Sequence, residues 1–143
     1  MMLKKMIVLF VMITGLLVAC TSNDDVTQMV YEGEGQTWRA ELEYTEEVLD
    51  DDQINAEIDL VISYNDELGE SEQVEEISYR LELGDTVYFE NSETYEDVED
   101  VSALYVTGET TIDNPLPSGA RIILEVTWDN QQEEFQLDRI TEE

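Results

Sequence analysis

Between residues 38 and 128 the chain repeatedly alternates apolar and polar side chains with a period of two, and this pattern fixes its fold class before any other. In Trp38-Arg39-Ala40-Glu41-Leu42-Glu43-Tyr44-Thr45 every even position is apolar and every odd one polar. Successive residues of a strand point to opposite faces, so this is a strand with one buried and one wet face. Three further segments repeat it: Ala56, Ile58, Leu60, Ile62 and Tyr64; Ile77, Tyr79, Leu81 and Leu83; and Ile122, Leu124, Val126 and Trp128. No segment sustains a helical period.

Turn-forming residues separate these runs. Asn65-Asp66-Glu67-Leu68-Gly69 and Asp113-Asn114-Pro115-Leu116-Pro117-Ser118-Gly119 read as turns, and Asp129-Asn130 followed by Phe135 and Leu137 reads as a terminal hairpin joining strands of opposite apolar phase. Weaker strands are expected over 29–32, 86–90 and 102–111, with 46–53 and 91–100 as acidic connections. The pattern predicts an all-β fold: a single antiparallel two-layer β-sandwich of immunoglobulin-like type with about seven or eight strands. A small closed barrel is the runner-up. Trp38, Trp128, Tyr44, Tyr64 and Tyr79 fall in the apolar phase and are expected in the core.

The N-terminus carries a different signal. Lys4 and Lys5 precede an apolar run from Met6 to Ala19, broken by Thr14 and Gly15, and Cys20 follows. The run is shorter than the roughly 20 residues a membrane-spanning helix needs, so it reads as a cleaved secretory signal. Its end, Leu17-Val18-Ala19-Cys20, resembles the bacterial lipobox, and the sole cysteine of the chain falls there. The resemblance implies signal peptidase II cleavage between Ala19 and Cys20 and lipidation of Cys20. One acyl chain anchors only marginally, whereas two or three anchor durably. The expected organisation is a signal peptide over 1–19, a lipidated polar tether over 20–28 and a β-sandwich domain over 29–143.

Composition narrows the chemistry. Against 36 Asp and Glu stand 6 Lys and Arg, a formal charge of -30, which excludes nucleic acid as a partner. The absence of histidine removes the usual proton shuttle and imidazole ligand, and one cysteine allows no internal disulfide. Past the leader the only basic side chains are Arg39, Arg80, Arg121 and Arg139. Guanidinium stays charged where lysine begins to titrate, so this exterior suits an alkaline or salty medium. With so many carboxylates, close pairs arise by chance, and none stands out as a glycosidase-type pair. The densest run, Glu93 with Glu96, Asp97, Glu99 and Asp100, offers the oxygen ligands calcium wants without matching a known calcium loop.

Two longer stretches carry a family resemblance. The opening Tyr31-Glu32-Gly33-Glu34-Gly35-Gln36-Thr37-Trp38 and the close Ile122-Ile123-Leu124-Glu125-Val126-Thr127-Trp128-Asp129-Asn130, with Glu133-Glu134-Phe135-Gln136-Leu137, are similar to small lipobox-containing lipoproteins of Bacillus-type Gram-positive bacteria. The chain departs from them in Asn130-Gln131, where Asn-Gly is expected, and in its acidity. The resemblance implies no catalytic residues. The expectation is therefore a lipid-anchored, non-enzymatic binding or accessory module on the outer face of the cell membrane, held there through the lipid on Cys20. Its partner is an envelope protein or polymer, and no cofactor is expected. The alternatives are an extracellular calcium-binding protein, with a weak site at the acidic run, and a carboxylate-based hydrolase.

Overall fold

A computed structural model describes residues 26–50, 52–85 and 87–140. Eight antiparallel strands account for nearly all of them: β1 (Val26–Glu34), β2 (Trp38–Val48), β3 (Ile54–Tyr64), β4 (Glu72–Leu83), β5 (Val87–Val101), β6 (Ala103–Ile112), β7 (Ile122–Trp128) and β8 (Gln131–Arg139). The described residues contain no helix. The strands are ordered β5-β4-β7-β8-β1-β2-β3-β6 in one hydrogen-bonded sheet. The sheet curls so that its two halves face one another across a shared core, giving an all-β, sandwich-like and nearly barrel-shaped molecule.

The predicted inward positions supply that core. Trp38, Ala40, Leu42 and Tyr44 of β2, Ala56, Ile58, Leu60 and Ile62 of β3, and Ile122, Leu124, Val126 and Trp128 of β7 are all buried. So are Ile77, Leu81 and Leu83 of β4. Asp129 and Asn130 form the two-residue turn of the terminal hairpin, pairing Trp128 with Gln131 and Leu124 with Phe135. Asp129 takes a left-handed φ of 50°, which its short polar side chain tolerates. Trp38 and Trp128, from opposite halves of the sheet, meet edge to face at 5.8 Å, and Tyr64 meets Trp38 in the same way at 5.6 Å.

The halves join at a narrow seam. Tyr31 pairs with Arg139 and Glu32 with Asp138, and the Ile140 amide donates to the Val30 carbonyl at 2.8 Å. A side chain at Gly33 would put its Cβ 2.3 Å from the Gln136 carbonyl oxygen, so glycine lets β1 and β8 approach there. Glu133 of β8 accepts hydrogen bonds from the backbone amides of Thr37 and Trp38, the latter at 2.7 Å, and so ties the β1–β2 turn to the opposite half.

Three expectations change. Residues 91–100 are not a connection but the body of β5, paired along β4. An edge strand takes its register from its neighbour's backbone, so its side chains need not alternate. The stretch 46–53 is also partly strand, because β2 runs to Val48 and the inward phase passes on to Glu46, a buried carboxylate. Finally, β1 begins at Val26, so Val26, Thr27 and Gln28, which composition assigns to the tether, pair with Glu47, Glu46 and Thr45.

Because Leu124 is wholly buried, Leu124→Ala is expected to destabilise the fold by about 2 to 5 kcal/mol. Glu125→Ala, on the outer face of the same strand, should stay within about 0.5 kcal/mol of the parent. Urea titration of the two variants checks the phase of β7, and equal effects would contradict it.

Candidate functional site

The strands at the two ends of the sheet, β5 and β6, are consecutive in the chain and joined by Ser102 alone. The Ser102 carbonyl accepts the Tyr64 amide at 2.8 Å and pins this corner to β3. Beyond the corner the two strands diverge, and among the described residues no ladder connects them. The gap is a cleft of about 240 Å³. Ile77 and Tyr79 of β4 form its floor, Leu104 and Val106 of β6 one wall, and Asn91 to Glu93 of β5 the other. At one end Phe89 closes the gap by lying against Gly108, where an added Cβ would stand 2.8 Å from the ring.

The cleft has apolar side chains beneath a predominantly polar rim, a lining that suits a chain or side chain with both characters. Tyr79 belongs to the inward phase but is only half-buried, because the layer above it is open. Burial, and secondarily the Glu93 carboxylate, raises its phenol pKa above the ordinary value. Glu93 is fixed by the Tyr95 hydroxyl, which donates to it at 2.8 Å. Tyr105, beside the opening, is 81% exposed, the most exposed of the large hydrophobic side chains.

The acidic run proposed for calcium lies along the same edge. Glu93, Glu96, Asp97, Glu99 and Asp100 are all exposed. Val74 pairs with Glu99 and Glu76 with Thr94, so residues 95–98 bulge out opposite Glu75. Across the bulge Asp129 braces β4, its carboxylate accepting the Glu75 and Glu76 amides at 3.0 and 3.1 Å. Of the five acidic residues only Glu93 lines the cleft. Among the described residues no three acidic side chains are gathered closely enough to hold a metal ion. Ala19 and Cys20 lie outside the described residues.

Register exposes a charge pattern that composition hides. On the outer face of the β1-β2-β3-β6 half, Glu32 stands opposite Glu41, Glu43 opposite Asp59, and Glu57 opposite Glu109. Like charges facing each other across strands are destabilising. Arg39 is the one arginine on these rows, and its guanidinium pairs with Asp66. The other half is better balanced, with Arg80 set between Glu90 and Glu125. At about 7 Å two carboxylates repel by roughly 0.6 kcal/mol in unscreened water, and physiological salt shortens that reach to about 8 Å. Sodium chloride is therefore expected to raise the melting temperature smoothly, and calcium at matched ionic strength to add little. Calorimetry at fixed ionic strength checks this. A saturating calcium shift that disappears in Asp97→Asn with Asp100→Asn would establish an ion site.

Glu46 is the one buried carboxylate among the described residues. It accepts the Tyr44 hydroxyl at 2.9 Å and the Leu116 amide at 2.6 Å. The second bond draws the β6–β7 loop over one end of the core, where Leu116 packs. Burial chiefly, and then the Glu46 carboxylate, raises the Tyr44 pKa well above the ordinary value, and burial also raises that of Tyr31. A raised tyrosine pKa leaves stability intact below the unfolded value of about 10. As pH climbs past it, the unfolded chain releases protons that the folded one retains, and stability falls. With no histidine in the chain, denaturant midpoints should be nearly level from about pH 7 to 9 and drop above about 10. Tyr44→Phe should soften that drop.

In comparisons with protein families, curated proteins and solved structures, the chain matches none.

Proposed function

We propose that this chain is a lipid-anchored, extracytoplasmic and non-enzymatic binding module of the cell envelope, which holds its partner at the cleft between β5 and β6. One observation carries the binding reading: the sheet stops short of closing at a groove with an apolar floor, flanked by two edges without partners among the described residues. Tyr105, 81% exposed at the mouth of the groove, strengthens it, because a large aromatic side chain there is available to a partner. The anchor rests on the sequence: a lysine-led apolar run ending in Leu17-Val18-Ala19-Cys20, with no second cysteine to compete for the lipid. The similarity to Bacillus-type lipoproteins belongs to the same reading. A short acidic tether keeps the domain near the membrane, and its carboxylates keep it from lying on anionic lipid.

Two measurements test the parts separately. Cys20→Ala should leave the protein unprocessed or shed into the medium, and mass spectrometry of the membrane fraction should find acyl chains on Cys20 of the parent. A photo-crosslinking residue at Tyr105 in intact cells should capture a discrete adduct, while the same residue at Gln132, on the outer face of the opposite half, should not. Equal capture at both positions would remove the cleft as the binding site.

A further inference from the structure

We infer that the open edge of β6 takes up an extended polypeptide segment bearing lysine or arginine, added to the sheet as a strand and seated in the cleft. The inference deepens the binding-module reading and rests on it.

The edge itself is the first argument. Exposed edge strands are ordinarily guarded by proline, lysine, bulges or short length, because their unpaired amides and carbonyls recruit other strands. On the far side of the gap β5 has such a guard, the bulge at residues 95–98. β6 has none of these along 103–107; farther on it carries only the Glu109 charge and, at Gly108, the cover of Phe89. Its ten residues, Ala103–Ile112, include neither proline nor lysine, and their pairing with β3 runs unbroken from Ser63 opposite Ala103 to Ile54 opposite Ile112. Leu104 and Val106 turn toward the cleft floor, so alternate residues of an added strand would meet Ile77 and Tyr79 below while the others face solvent.

Charge decides the occupant. A strand seated along Leu104 to Thr107 runs toward Glu109, which stands opposite Glu57, and lies across the gap from Glu93. A second copy of the chain would bring the same carboxylates against themselves, whereas a cationic segment would neutralise them. Main-chain bonds would supply affinity, and the charges would supply partner choice and rapid encounter.

The test uses the full-length lipidated protein in non-ionic detergent. The probe is a short peptide of alternating lysine and valine with blocked ends, read by fluorescence anisotropy and by amide hydrogen exchange. Binding that protects the amides of β6 is expected. It should weaken by about tenfold or more when alternate peptide nitrogens are methylated, and again in Thr107→Lys, which sets a positive charge on the edge. Glu134→Lys, on the opposite half, should bind as the parent does. Equal binding of the methylated peptide would reduce the effect to charge adhesion and overturn the inference. So would equal binding of a glutamate-for-lysine peptide, or self-association through β6 in sedimentation. If the lysine peptide fails to bind while Tyr105 still crosslinks in cells, the strand partner falls and the binding module stands. If the peptide binds as expected but Tyr105 captures nothing in cells, the edge chemistry is upheld and the cellular reading fails.

Discussion

Folding of the open sheet over on itself is the constraint on which the rest of the molecule depends. Eight strands with one apolar face each have nowhere to bury it unless the sheet folds over on itself, and the β8–β1 seam is where it turns from one half into the other. That seam is short, and it works because Gly33 lets two backbones come close while Glu133 binds the β1–β2 turn from across it. Once the halves face each other, Trp38 and Trp128 meet across the core at the end that carries the β1–β2 and β7–β8 turns.

A chain this acidic folds against its own charge. Each like-charge pair on the outer face opposes the fold by a fraction of a kcal/mol once salt screens it, whereas truncating one buried leucine removes about 2 to 5 kcal/mol. Burial therefore outweighs local repulsion, and the carboxylates govern what the surface meets more than whether it forms. They also favour a cationic partner over a second copy of the chain.

Where one face of a strand is buried, period two spells out the phase, so the inward residues of β2, β3, β4 and β7 could be read directly from the sequence. β5 escaped that reading because all its side chains along 91–100 except Tyr95 are exposed, and its conformation is imposed by β4. Glu46 escaped for the opposite reason: its position continues the inward phase of β2, but a carboxylate there signals solvent until Tyr44 and the Leu116 amide are seen to satisfy it. The cleft was hidden altogether. It depends on which strands end the sheet, and strand order follows from long-range pairing that no local pattern encodes. The facing carboxylates likewise need a register before they become neighbours.

The seam has a temporal consequence as well. The hairpins β2–β3, β4–β5 and β7–β8 join segments adjacent in the chain, so each closes a short loop at modest entropic expense. Tyr31 and Arg139, in contrast, stand near the opposite ends of the described chain. Non-local contacts of this kind slow folding, because a long loop must be ordered before they reward it. The β2–β3 and β4–β5 hairpins can assemble while the last strand is still absent, but β1 has no β8 to pair with until residue 139 has emerged. Until then the molecule carries an additional open edge along β1, and completion of the C-terminal hairpin is the event that removes it.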